Sequence, residues 1–485
     1  MATWYVKAGA KGGDGSEAAP IGTLAAAAQE ADAGDEVIVG AGEYRERLQA
    51  TNRITWRGAG PGQSIIDGGW NGAKTENGDP GPTLVAIGGG ATVDGFTIYN
   101  SPGDGVVMGS DSGPVLRNCQ VDYCQNSGII ITSDAGAAAV GATVEGCTVT
   151  RTCMRYKVQG RLGGAGIGII KSNHVVVRGC TVANGYGEGI DIGRGSADCL
   201  VEGCTVFDHD HLALYFNRCT RCVARGNVLF LTGNLEFLGA NKAWPAGVVF
   251  GNEGSVGMKK YPPLSANQFI DNLVVNFGTL LDVRNNAANY DTVLDKDTVI
   301  AGNTFVAGPC TRLGLHIQAN EHGNEHGLAQ VHNNVVYVGG DVDALRGGQG
   351  LAYRANAWTV APPSYARDGA NVVGFTLVNP GAALASLWPG LGHNLERDNY
   401  RPPVGSALVG AGVGGATIGA LEPVDDEPEE PPTEPPSPSP DWPALLAQLD
   451  AATEQLAVAG MARDAAESAL TALRALLNEY QENGG

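Results

Sequence analysis

Asp208-His209-Asp210-His211 sets two carboxyls and two imidazoles in four consecutive residues, and chemistry would first be sought there. Asn184, Tyr186, Glu188, Asp191 and Arg194 lie a repeat earlier, and Tyr215 follows. A basic group, Arg151, Arg155, Lys157, Arg161 and Lys171, precedes them, with Asp122-Tyr123 earlier still. These residue types suit two ways of working on a glycan. In elimination or epimerisation, Arg155, Lys157 or Lys171 would neutralise a uronate carboxylate and acidify the adjacent proton, with His209, His211 or Tyr215 as base or acid. In hydrolysis two carboxyls must flank the bond, and Asp191 with Asp208 or Asp210 is the candidate pair. The candidate catalytic residues are therefore Asp191, Asp208, His209, Asp210 and His211. Arg155, Lys157, Lys171, Tyr186, Glu188, Arg194 and Tyr215 are the candidate ligand contacts. No cofactor or dedicated metal site is expected, although Asp208, Asp210 and Glu188 are a candidate oxygen set for Ca²⁺. The plainer alternative is that Asp-His-Asp-His serves a turn and its charges are merely solvated.

The elements that would position these residues repeat along the chain. Arg117-Asn118-Cys119-Gln120-Val121, Glu145-Gly146-Cys147-Thr148-Val149, Arg178-Gly179-Cys180-Thr181-Val182 and Glu202-Gly203-Cys204-Thr205-Val206 are versions of one motif. From Phe96 the key position passes through these cysteines to Asn227, Asn272, Asn303 and Asn334, in steps of 23, 28, 33, 24, 23, 45, 31 and 31 residues. Short strands led by Gly, such as Gly128-Ile129-Ile130-Ile131, Gly189-Ile190-Asp191-Ile192 and Gly314-Leu315-His316-Ile317, recur between them. A repeat of this length with two or three short strands and no room for a helix predicts an all-β solenoid. Its strands would stack in parallel at about 4.8 Å per coil, giving a right-handed parallel β-helix with one ladder of Cys and then Asn. Residues 1–35, with a helix from Thr23 to Ala31, are expected to cap it. The β-helix is expected over 36–421, with its first coil starting at Val37 and its repeat fading after Asn334.

The Cys and Asn positions make the sequence resemble the pectate-lyase-like β-helix superfamily over about residues 1–421. Gly40-Ala41-Gly42-Glu43-Tyr44-Arg45-Glu46 and Ile65-Ile66-Asp67-Gly68 resemble the opening of many secreted β-helix proteins, and Ser406 to Glu422 resembles their close. The resemblance extends to bacteriophage tailspikes and appendages and to secreted polysaccharide lyases and hydrolases. It implies a virion protein that binds, and in some cases degrades, host surface polysaccharide. A secreted bacterial lyase or glycoside hydrolase is one alternative, and a non-catalytic structural spike is another. Gly189-Ile190-Asp191-Ile192 is similar to an element of alginate epimerases but lacks its Pro and His.

Charge and termini complete the sequence reading. The net charge is −20, of which −12 falls after Leu421, and no basic stripe suggests nucleic-acid binding. Of the ten cysteines, Cys119, Cys147, Cys180 and Cys204 in the ladder, and Cys199 and Cys222 in a second register, would point the same way, which argues against most disulfide pairs and suits assembly in a reducing host cytoplasm. Met1-Ala2-Thr3-Trp4 has no signal-peptide character, and no apolar run is long enough to insert in a membrane. Residues 422–440 read as an acidic Pro-rich linker. Residues 441–483 read as a helix whose apolar seam from Leu445 to Tyr480 steps 4,3,4,3 with Arg463 as its one charge. That seam points to self-association as a coiled coil, with a homotrimer expected and other virion proteins as further partners; a single amphipathic helix docked on the body or folded at Gly460 is the alternative reading.

Overall fold

One turn of the chain shows the plan. Val176–Arg178, Thr181–Gly185 and Glu188–Gly193 are three short strands, and Leu200–Glu202 then pairs in parallel with the first of them. The computed structural model describes residues 1–423 apart from 74–79, 110–112, 134–138, 160–162, 239–242, 254–258, 287–289, 319–325, 340, 378–396 and 404. Within it the coils build a first, a second and a third sheet, of 13, 13 and 12 strands in that order. Pairing in all three is parallel except for the short strand Tyr290–Asp291, which runs antiparallel to Thr279–Asn286. The protein is a parallel β-helix.

The core follows from alternation along each strand. Val177 on the first sheet, Val182 on the second, and Ile190 and Ile192 on the third all point inward and are fully buried. Each stacks on its equivalents in neighbouring coils, so the interior is made of continuous apolar rows; Phe216 lies on Phe250 with ring centroids 4.7 Å apart. The corner between the first and second sheets carries the ladder. Cys119, Cys147, Cys180 and Cys204 are buried there with free thiols, as are the other six cysteines. The asparagines then bond rung to rung, Asn227 Nδ2 to Asn272 Oδ1 at 2.9 Å, Asn272 to Asn303 at 3.0 Å and Asn303 to Asn334 at 2.9 Å. The residue before each rung needs a left-handed backbone, hence Gly179 at φ +58° with open space around its Cα.

Two boundaries differ from the sequence expectation. The first sheet starts at Thr3–Val6, which pairs with Glu36–Val39, inside the segment set apart as a cap. The helix of that segment is Leu24–Glu30, with the Thr23 hydroxyl accepting from Ala26 N. At the other end the repeat does not fade at Asn334. Asn334 Nδ2 donates to Asn356 Oδ1 at 3.0 Å after a step of 22 residues, and Ala357–Trp358 still pairs with the second sheet. Small residues and Trp replace the Val-Val pattern there, which hides the coil from a motif search.

Loops inserted at the corner between the second and third sheets matter most for function. One carries the helix Met154–Gln159 and another the 3-10 turn Leu235–Phe237. The outer face of the second sheet changes character along its length, from Gln120, Thr148 and Thr181 to Val228, Leu273 and Val335. Leu377, Tyr400, Leu408, Ile418 and Leu421 cover that apolar half. Gly419 N donates to Asn333 O at 2.8 Å and Ala420 N to Thr304 Oγ1 at 2.9 Å, which fixes the covering segment. The linker beyond residue 423 and the helix expected over 441–483 lie outside the described residues.

Candidate functional site

Strand register places one outward row on the third sheet: Gly168, Asp191, Tyr215, Val249, Asp282, His316 and Arg346. Asp191 is 6% exposed, and its Oδ1 has no hydrogen-bond partner. Burial, and then the negative charge of Glu188, holds its carboxyl well above the ordinary carboxylate range, with Arg194 opposing. Its carboxylate lies over Gly193, where an ideal Cβ would come within 2.9 and 3.0 Å of the two oxygens. Only glycine leaves that space.

Glu188 opens the same strand, beside Ala165 below and Leu212 above. Burial and then the Glu253 carboxylate push it up to about 7, against the pull of His211, Arg284 and Arg194. His211 belongs to the next corner, with Nδ1 2.5 Å from Asp210 Oδ1 and the Tyr156 ring edge-on at 5.6 Å. Burial lowers its basicity, but the Asp210 bond and the charges of Asp210 and Glu188 outweigh it, and the imidazole is held above its ordinary value. The Asp210 contact through Nδ1 leaves Nε2 as the nitrogen for a ligand.

The remaining sequence candidates scatter. Asp208 is 3% exposed and is engaged by Thr232, from N at 2.9 Å and from Oγ1 at 2.6 Å, so it ties two coils together. His209 faces the interior at 1% exposure, neither ring nitrogen makes a well-formed bond, and burial pushes its imidazole down to about 4. Lys157 pairs with Glu236 and lies over the Tyr186 ring at 5.1 Å, while the Tyr186 hydroxyl also bonds Glu236. Arg155 stands on the same short helix, and its buried Nε makes no bond. Lys171 and Arg194 are exposed at equivalent bends past the end of the third-sheet strands, both with positive φ. Tyr215 is buried beside Asp191 in the outward row. Arg161 lies outside the described residues.

The structure therefore gathers Glu188, Asp191, His211 and Tyr215 and adds residues that the sequence reading passed over. Glu253 and Arg284 act on Glu188 from two later coils. Asn217 sits in register with Gly193, and its buried Oδ1 has no partner. Asp282 bonds Arg284 Nε at 3.0 Å and faces His316 Nδ1 at 3.1 Å, which holds its carboxyl low in spite of burial. Aligning the strands led by Gly189 and Gly314 would have put Asp191 and His316 in one row. No group of three or more His, Cys, Asp or Glu among the described residues is arranged to hold a metal ion. The Asp208, Asp210 and Glu188 set is dispersed, because Asp208 is taken by Thr232 and Asp210 by His211. Chemically, a buried carboxyl beside one that titrates near neutrality can give and take a proton in turn.

Comparison with known proteins agrees on the architecture. A family model described as the right handed beta helix region matches residues 83–255. The pectate lyase Pel9A overlays with a TM-score of 0.52 at 14% identity, covering 87% of this chain and 97% of its own. XylC in complex with xylose overlays with a TM-score of 0.51 at 11% identity, covering 78% and 88%. A looser overlay, TM-score 0.41 at 13% identity over 70% and 62%, relates it to the Dettilon tailspike protein. No curated protein matches the sequence. The fold is a right-handed parallel β-helix of the pectate-lyase-like kind.

Proposed function

We propose that this chain binds a polysaccharide on the outer face of the third sheet and cleaves it by acid–base hydrolysis. The observation that carries the reading is Asp191: a buried carboxyl with an unpartnered oxygen, on the same strand as a second carboxyl, Glu188, that titrates near 7. Asp191 is held protonated and gives its proton to the glycosidic oxygen as the bond breaks. Glu188, partly ionised at neutral pH, takes the proton of the attacking water. His211, fixed by Asp210, and Tyr215 border the same space and orient the sugar. The fold, which a pectate lyase also uses, is compatible with this.

The test is release of new reducing ends from a panel of polysaccharides by the wild type, Asp191→Asn and Glu188→Gln. Each substitution should lower the rate by about 10²–10⁴-fold. Arg225→Ala, on the outer face of the first sheet, should leave it unchanged. Full activity in Asp191→Asn, or no product from any polymer, overturns the proposal.

The finer reading is a virion appendage that recognises a host surface glycan. Its support lies in the sequence: an acidic Pro-rich linker, a 4,3 apolar seam that would join three copies, and ten cysteines suited to a reducing cytoplasm. The linker and helix would then provide attachment to other virion proteins. A solution mass near 49.9 kDa, that of a monomer, overturns the coiled-coil part of this reading. A secreted enzyme with the same site is the alternative it would leave.

A further inference from the structure

We infer that the sugar unit taken at this site carries no negative charge and presents hydroxyl or amino donors, so that the polymer is a neutral or amino-sugar polysaccharide and not a uronate chain. The inference rests on the hydrolytic site proposed above and names its substrate class.

Two buried acceptors lack donors. Asp191 Oδ1 and Asn217 Oδ1 both face the outside of the third sheet, and their residues are 6% and 4% exposed. In register Asp191 lies beside Tyr215, and Asn217 beside Gly193, so the pair are diagonal neighbours on adjacent coils. Backbones so related are about 7–8 Å apart, a span that one sugar ring and its substituents can bridge. A buried acceptor without a donor is costly, and a ligand that supplies N–H or O–H recovers the loss. Gly193 keeps the space over the Asp191 carboxylate free of a side chain. The two acceptors thus lack the donors that a hydroxyl or amino group of a sugar would bring.

The charge balance points the same way. Asp210 is matched by His211, and Asp282 by Arg284 and His316. Glu188, Asp191 and Glu253 then act on one another, with Arg194 at the bend opposing Asp191, and His211, Arg284 and Arg194 opposing Glu188. A uronate carboxylate here would add a charge of the same sign as those of Glu188 and Glu253, and desolvating like charges together is unfavourable. An ammonium group finds carboxylates, and a hydroxyl finds acceptors. Over longer range, the net charge of −8 on residues 1–421 repels a polyanion before contact.

The test measures binding by the intact wild-type chain at low salt and pH 7, by titration calorimetry and by ligand-induced thermal shift. The ligands are dextran and mannan, chitosan oligosaccharides, and polygalacturonate and alginate. Neutral or amino polymers should bind at least about tenfold tighter than the uronates. Asn217→Asp should strengthen chitosan binding and make it more sensitive to salt, and Asp191→Asn should weaken it. Tighter binding of polygalacturonate or alginate overturns this inference and leaves the hydrolytic site standing. Absence of binding to every polymer removes both. The wild-type ranking decides the matter even if a variant fails to fold, and unchanged affinity in both well-folded variants also overturns the inference.

Discussion

Asparagine at the ladder position should be worth several times what cysteine is worth there, and Asn303→Ala tests this. Asn303 is wholly buried, and Oδ1 accepts from both N and Nδ2 of Asn272 at 3.0 Å. Its Nδ2 donates to Phe269 O at 2.8 Å and to Asn334 Oδ1 at 2.9 Å. Truncation leaves the Asn272 N–H with no acceptor, which costs about 1–3 kcal/mol. The other lost bonds are cushioned: Asn272 Nδ2 keeps the carbonyls of Ala224 and Ile270, and Asn334 Oδ1 keeps the N–H of residue 303. They add about 1–2 kcal/mol, and the small void about 1 more, so the total is about 3–6 kcal/mol. Cys204→Ala loses only long sulfur contacts, to Val177 O at 3.8 Å and Glu202 O at 3.5 Å, and should cost about 1 kcal/mol. Urea unfolding followed by circular dichroism supplies the comparison, read as the midpoint of the first transition because a solenoid of this length need not unfold in two states. An Asn303→Ala shift no larger than that of Cys204→Ala refutes the claim that amide bonding along the axis holds these coils in register.

Two further predictions concern the site and its corner. Glu188 titrates near 7 when folded against an ordinary value of 4.5, so between those pH values the folded chain keeps a proton that the unfolded chain has lost. Stability should fall as pH rises through that window, and Glu188→Gln should equal the wild type at pH 4 and gain on it by pH 8; a gap independent of pH contradicts this. Gly185→Ala puts a Cβ 2.5 and 2.6 Å from two atoms of the His209 ring and 2.9 Å from Thr152 Oγ1, and should cost about 3 kcal/mol or more. Gly179→Ala meets no atom and pays only for its left-handed backbone, about 1 kcal/mol, so melting temperatures in the reverse order refute the packing.

The solenoid was legible because its period is written in a turn residue, a small buried thiol or amide that recurs at the same corner from coil to coil. The side on which corner residues fall was not legible. Asp208 has φ +52°, which breaks the alternation of Thr205–His209 and turns His209 into the interior while Asp208 reaches Thr232. Reading Asp-His-Asp-His as one exposed cluster assumes a strand periodicity that a left-handed residue cancels. Asp191 and Tyr215 could be paired from sequence because 24 residues separate them, one ordinary repeat. Glu253 and Arg284 could not, because the long insertion after Phe230 hides the register of the coils that carry them. The covering of the second sheet was invisible for another reason: Leu408, Ile418 and Leu421 have no period, and the Val228 and Phe230 they shield look like ordinary interior residues.

That covering also sets an order of events in synthesis. Phe230 leaves the ribosome roughly 190 residues before Leu421, so its side of the sheet waits for a lid made last. At about 5–20 residues per second the wait is about 10–40 s, during which a nascent chain already coiled presents an oily flank to every neighbour. Chains that stop short of residue 421 would keep that flank for good, which makes the final stretch of the body a built-in check that synthesis has passed residue 421.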